Sequence, residues 1–182
     1  MYEKDALRKV MKERALCYDD GYFASEDLLS CTLIKDMEWY QGCGTLFGYY
    51  PIRGEVDIRP LLADALATRL LALPKTQGDG SLRFHLVGDL SALKRGRFGI
   101  PEPAEGPVVT PGADDLIILP ALAYDRAHRR LGRGAGYYDR YLASYATVPT
   151  VGISRSYQLV ETIPTQKWDR SVDYLVCANT LY

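Results

Sequence analysis

"DDLIILPALAYDRAHRRLGRGAGYYDRYL", residues 114–142, and "TVGIS", residues 150–154, set out a strand, a glycine-rich crossing, a helix and a second strand in that order. Residues 114–120 give the strongest strand signal in the chain: a short apolar run with β-branched residues, closed by Pro120. A helix is expected from about Tyr137 to Ala146, and residues 150–154 read as the next buried strand. Strands that alternate with helical stretches build an α/β domain around a largely parallel sheet. Ligands of such sheets bind beyond the carboxyl ends of the strands, which is where residues 130–142 fall.

The rest of the chain fits the same plan. Residues 3–18 carry Leu7, Val10, Met11 and Ala15 at helical spacing, with Lys4 and Arg8 one turn apart on a shared face. A second helix is expected after Ser25, whose hydroxyl would cap it while Glu26 and Asp27 favour its positive end. "GTLFGYY", 44–50, reads as a strand ending at Pro51. In the segment after it, Asp57 would cap a helix that holds Pro60 in its first turn. "LLALP", 70–74, reads as a buried strand, "SLRFHLV", 81–87, as a strand with one wet face, and "VDYLVCA", 172–178, as the closing strand. Residues 94–113, rich in Gly and Pro, read as a long surface loop; loops of that length often serve function, and closure over a substrate is one such role.

Composition narrows the partners. The chain has 182 residues, enough for one domain over 1–182 with a real core. Its 22 basic and 23 acidic residues give a net charge of −1, so no global field draws it to nucleic acid or to an acidic membrane. Cys17, Cys31, Cys43 and Cys177 are scattered, without a CxxC pair, which argues against a zinc cluster and for free thiols. The first sixteen residues lack the apolar run of a signal peptide, and no segment reaches membrane-spanning length. The expectation is a cytoplasmic monomer acting on small molecules, with no nucleic-acid or membrane partner.

The glycine stretch poses the chemical question. From Tyr124 to Arg140 the chain holds Arg126, Arg129, Arg130, Arg133 and Arg140 against Asp125 and Asp139. Closely spaced glycines let backbone N–H groups turn inward into an anion-binding concavity, and the arginine fork of Arg133 would add donors for phosphate oxygens. The stretch is neither a Walker A loop, since no Gly-Lys-Ser/Thr ends it, nor the dinucleotide fingerprint. A strand-to-helix turn with solvated arginines accounts for the same residues. Asp139, in the first turn of the expected helix, is either a carboxylate favoured by the dipole or a magnesium ligand shared with phosphates.

The segment 115–142 closely resembles the signature of the 5-formyltetrahydrofolate cyclo-ligase (5,10-methenyltetrahydrofolate synthetase) family, a hydrophobic strand leading to "RLGRGxGYYDRYL". "YYPIRGEVDIRPLL", "LALP", "FGIPEPAEG" and "QLVETIPTQKWDRSVDYLV" follow the family's order along nearly the whole chain. The resemblance implies a three-layer α/β/α sandwich with a largely parallel sheet. It also implies ATP-dependent conversion of 5-formyltetrahydrofolate to 5,10-methenyltetrahydrofolate, with magnesium required and ADP and phosphate released. Residue by residue, it implies ATP contacts from Lys4, Arg8, Arg130, Leu131, Gly132, Arg133, Gly134, Ala135, Gly136, Tyr137 and Tyr138, with Arg133 and Tyr138 closest to catalysis. It implies folate contacts from Glu55, Phe98, Tyr137 and Tyr138, and magnesium ligation by Asp139 and Asp169.

Each of these residues also has a plainer use. Lys4 and Arg8 suit a solvated helix face, Glu55 a loop or cap, and the tyrosines a core. Three positions depart from the family pattern. Ala135 replaces a frequent glycine, Phe98-Gly99 stands where a tryptophan often precedes "IPEP", and Trp168-Asp169 replaces His-Asp. Two other functions compete: a non-catalytic relative that binds folate or nucleotide, and an RNA-binding module built on the arginine-rich loop. The joint presence of Glu55, Arg133, Asp139 and Asp169 speaks against the first. Confinement of the arginines to one loop, without an aromatic platform, speaks against the second.

Overall fold

The computed structural model describes residues 2–182. In chain order the helices are α1 (Tyr2–Ala15), α2 (Asp20–Lys35), α3 (Glu38–Gln41), α4 (Arg59–Thr68) and α5 (Tyr137–Leu142). The first strands are β1 (Thr45–Phe47), β2 (Leu70–Thr76) and β3 (Leu82–Leu86). Short strands follow: β4 (Lys94–Arg95), β5 (Pro101–Glu102) and β6 (Val108–Val109). Then come β7 (Leu116–Leu119), β8 (Ala123–Asp125), β9 (Arg130–Leu131), β10 (Thr150–Ser154), β11 (Leu159–Val160), β12 (Tyr174–Cys177) and β13 (Thr180–Leu181).

The central sheet has the order β13-β12-β10-β7-β1-β2-β3-β6. The five strands from β12 to β2 run parallel, while β13, β3 and β6 add antiparallel edges. Side-chain alternation along each strand builds one core on either face. In β7, Leu116 and Ile118 join the core packed by Ile34 of α2 and Leu61, Leu62 and Ala65 of α4. Ile117 and Leu119 join the opposite core, which takes Tyr124 and Leu142 of α5. Helices on both faces of a largely parallel sheet make the three-layer α/β fold that the family resemblance implies. A second small sheet, β11-β8-β9, carries a third core in which Leu122, Ala123 and Leu131 meet Met11 of α1. That contact brings the amino-terminal helix beside the glycine stretch.

The elements differ from expectation in several places. Helix α2 begins at Asp20, six residues before the expected start. Asp19 is its cap, accepting the Tyr22 N–H at 2.7 Å, so Ser25, Glu26 and Asp27 lie inside the helix. Helix α4 has Ile58 at its cap position, and Asp57 stands just outside, where its carboxylate still accepts the Arg59 N–H at 3.0 Å. Residues 94–113 are more ordered than a surface loop: β4 and β5 pair as a hairpin, and β6 forms the sheet edge beside β3. Two-residue ladders carry no readable period, which hides them in the sequence. Helix α5 ends at Leu142, short of Ala146, and the β8–β9 hairpin before it has no strand signal of its own because arginines fill its turn.

Candidate active site

Beyond the carboxyl ends of β1, β2 and β7 opens a cavity of about 880 Å³. The glycine stretch forms one wall. Gly134 (φ +112) and Gly136 (φ +67) hold backbone conformations that other residues rarely adopt, and Gly136 is the cap of α5. Two arginines brace the turn. Arg8 Nε donates to the Gly132 carbonyl at 2.9 Å, and Arg140 Nη1 donates to the Ala135 carbonyl at 2.8 Å. Arg140 Nη2 also reaches the Gly80 carbonyl at 2.9 Å, tying the loop to the β2–β3 turn.

Fourteen of the expected site residues line this cavity: Lys4, Arg8, Glu55, Phe98, Arg130, Gly132, Arg133, Gly134, Ala135, Gly136, Tyr137, Tyr138, Asp139 and Asp169. Leu131 does not line it; its side chain is buried in the third core. The sequence reading missed several neighbours. Trp168, treated only as a departure, lines the cavity and is 58% exposed. Phe98 stands edge-on to Tyr137, with ring centroids 6.1 Å apart. Glu102, a buried carboxylate between two prolines, also borders the space, as do Tyr49, Tyr50 and Arg140. An acid flanked by Pro101 and Pro103 is a signal that could have flagged Glu102.

Several charges in the cavity are paired. Arg133 Nε donates to Glu55 Oε1 at 3.1 Å, with the arginine side chain 43% exposed and the glutamate 10%. Glu55 Oε2 accepts the Ile52 N–H at 3.2 Å. Burial raises the Glu55 carboxyl above the usual carboxylate range, and the Arg133 charge partly offsets that rise. Arg130 Nη2 donates to Asp139 Oδ1 at 2.7 Å, and Lys4 donates to Asp169 Oδ2. The Arg170 N–H lies 3.4 Å from Asp139 Oδ1, which places the two aspartates in adjacent positions. The protein hydrogen bonds of Asp139 among the described residues fall on Oδ1, and those of Asp169 on Oδ2. Each carboxylate therefore has a second oxygen available to a hard cation. Burial, and secondarily the Glu55 charge, holds the Tyr138 phenol well above its usual pKa, so it keeps its proton.

Among the described residues, no helix is long and apolar enough to cross a membrane, and no group of three or more His, Cys, Asp or Glu is placed to hold a metal. The cavity is lined by the glycines and arginines of residues 130–140, by the largely buried Glu55 carboxylate and by aromatic side chains.

Comparison with known proteins converges on one family. The chain is 28% identical to the mitochondrial 5-formyltetrahydrofolate cyclo-ligase of Arabidopsis thaliana, over 96% of this chain and 73% of that protein. It is 36% identical to the 5-formyltetrahydrofolate cyclo-ligase of Escherichia coli K12, over 71% of this chain and 75% of the relative. In three dimensions it resembles the 5,10-methenyltetrahydrofolate synthetase of Aquifex aeolicus, with a TM-score of 0.87 and 33% identity over 98% and 91% of the two chains. A Mycoplasma pneumoniae synthetase shares the fold at a TM-score of 0.73 and 22% identity, covering 95% of this chain and 97% of that one. The sequence model of the 5-formyltetrahydrofolate cyclo-ligase family matches residues 1–178. With the glycine-walled cavity, the three-layer fold and these relatives in agreement, the chain belongs to the 5-formyltetrahydrofolate cyclo-ligase family.

Proposed function

We propose that the chain converts 5-formyltetrahydrofolate to 5,10-methenyltetrahydrofolate at the expense of ATP, with both substrates in the glycine-walled cavity. The observation that carries this reading is the contact between Arg133 and Glu55. It joins a wall suited to phosphate to a buried carboxylate suited to the N–H groups of a pterin, so a γ-phosphoryl group and a folate ring can meet there.

The chemistry explains the need for both walls. A formamide carbonyl is a weak electrophile, and its oxygen leaves poorly as hydroxide. Attack of the formyl oxygen on the γ-phosphorus, with the N5 lone pair supplying electrons, releases ADP and gives an N5 iminium phosphate. N10 then attacks the formyl carbon and loses its proton. Departure of phosphate leaves the methenyl bridge between N5 and N10. Atoms balance, with the formyl oxygen carried off in phosphate. Such transfers depend mainly on alignment and on stabilising charge.

In this reading the N–H groups around Gly132–Gly136 cradle the phosphates, and Arg133 leaves Glu55 to follow the charge on the moving phosphoryl group. Lys4, Arg8 and Arg130 surround the same end of the cavity. Magnesium would be held by the available oxygens of Asp139 and Asp169 and would neutralise phosphate charge. Glu55 accepts the pterin N–H groups, Tyr138 donates from its un-ionised phenol, and Phe98, Tyr137 and Trp168 offer flat faces to the folate.

The test follows the oxygen. Substrate labelled with oxygen-18 in its formyl group is expected to deliver the label to inorganic phosphate. Label recovered in water, with phosphate unlabelled, would contradict phosphorylation of the formyl oxygen.

A further inference from the structure

Glu55 sits in the connection between β1 and α4, where no strand ladder or helix fixes its backbone. Two buried charges from distant parts of the chain hold it instead. Asp27 is in α2 and Arg155 directly follows β10. Arg155 Nε and Nη2 donate to Asp27 Oδ1 and Oδ2, each at 2.7 Å, and the two side chains are only 4% and 9% exposed. Arg155 Nη2 also donates to the Glu55 carbonyl at 2.7 Å. The Asp57 N–H donates to Asp27 Oδ2 at 2.9 Å. The base grips residue 55 and the acid grips residue 57, so the pair brackets the glutamate from its own backbone.

The pair is braced in turn. The Arg155 guanidinium lies over the Phe23 ring, 4.3 Å from its centroid, and the Arg155 N–H donates to Gln158 Oε1 at 2.9 Å. Gln158 Nε2 reaches the Ala121 carbonyl at 3.1 Å, anchoring the arrangement to the segment after β7. Neither Asp27 nor Arg155 lines the cavity. A buried ion pair stabilises a fold little better than apolar residues of the same volume, but its planar two-point geometry restricts orientation strongly. We propose that Asp27 and Arg155 are positioning residues that set the Glu55 carboxylate for folate. This rests on the reading of Glu55 as the residue that accepts the pterin N–H groups.

The test is a mutant cycle on folate affinity. Asp27→Leu/Arg155→Met replaces the pair by apolar side chains and removes both grips without stranding a charge. Its KM for 5-formyltetrahydrofolate is expected to rise about tenfold, as a small misplacement of a binding group would produce, with the ATP KM within about twofold of the parent. The same double change in a Glu55→Gln background is expected to add no more than about twofold, because groups acting through one residue are not additive. A folded double variant with the parent's folate KM would overturn the proposal, and so would an equal tenfold rise in both backgrounds. If the double variant does not fold, Arg155→Lys takes its place, keeping a cation beside Asp27 without the planar fork. The same two results then decide. Parental folate KM in Glu55→Gln alone would remove the reading of Glu55 itself, a failure distinct from that of the pair.

Discussion

Arg133 and Glu55 both line the cavity and share a hydrogen bond, so each is the other's partner in the structure. Arg133→Ala is expected to lower kcat about 10²-fold, the usual loss for a donor aimed at developing charge, with the melting temperature nearly unchanged because the side chain is half in solvent. Steady-state rates and a thermal melt check both parts. Glu55→Gln is expected to weaken folate binding about ten- to a hundredfold, the worth of a charged hydrogen-bond acceptor, with ATP affinity retained. Calorimetry with each substrate separates the two.

The sign of the pH effect follows from burial. The raised Glu55 carboxyl takes up its proton at a higher pH than an ordinary carboxylate, so in the proposed role of Glu55 folate binding is expected to fall on acidification at a higher pH than an ordinary carboxylate would give. Arg133→Met removes a cation that lowers this pKa, so the acidic limb of the folate affinity profile moves to higher pH. An unmoved limb would show that another group titrates there. At this scale the sequence was most legible in the glycine signature, whose Arg133 and Asp139 both reach the cavity. It was least legible at Asp27 and Arg155, which lie 128 residues apart and whose pairing only the tertiary fold creates. Leu131, inside the signature, turned inward because strand alternation in β9 sends it to the core.

Among the elements, the glycine turn and strand β10 show what small residues are for. An added Cβ at Gly134 would find only the Arg8 guanidinium, 3.6 Å away, so space is not the constraint. The constraint is its φ of +112°. Gly134→Ala is expected to strain the loop by about 1–3 kcal/mol and to raise the ATP KM more than the folate KM. Equal changes in both would argue against a phosphate role for the turn. Gly152 in β10 differs, since an added Cβ would lie 2.6 Å from the Tyr124 ring, which is locked by its hydroxyl bond to the Leu119 carbonyl at 2.8 Å. Gly152→Ala is expected to cost about 1–3 kcal/mol in urea unfolding through overpacking. The long apolar runs of β7 and β10 were legible because burial on both faces writes itself as continuous hydrophobicity. The start of α2 was not, because Asp19 and Ser25 are both acceptable caps and the local sequence does not choose between them.

Across the whole molecule, the order β12-β10-β7-β1-β2 brings the glycine stretch, the Glu55 loop and the tail carrying Asp169 to one end of the sheet. Helix α1, docked on the small sheet, adds Lys4 and Arg8 to that end. Strand order is a matter of long-range pairing, which periodicity cannot convey, so the class of fold was legible in the segments while the assembly of the cavity was not. The family resemblance supplied the missing links for the predicted residues, but not for Trp168 or Glu102, which enter only because the chain folds their segments over the same space. The most direct measurement is the near-ultraviolet absorbance of 5,10-methenyltetrahydrofolate when the chain is given 5-formyltetrahydrofolate, ATP and magnesium. A rise that requires ATP, with one ADP formed per methenyl product, is the predicted result; a folded chain that binds both substrates and gives no such rise would contradict it.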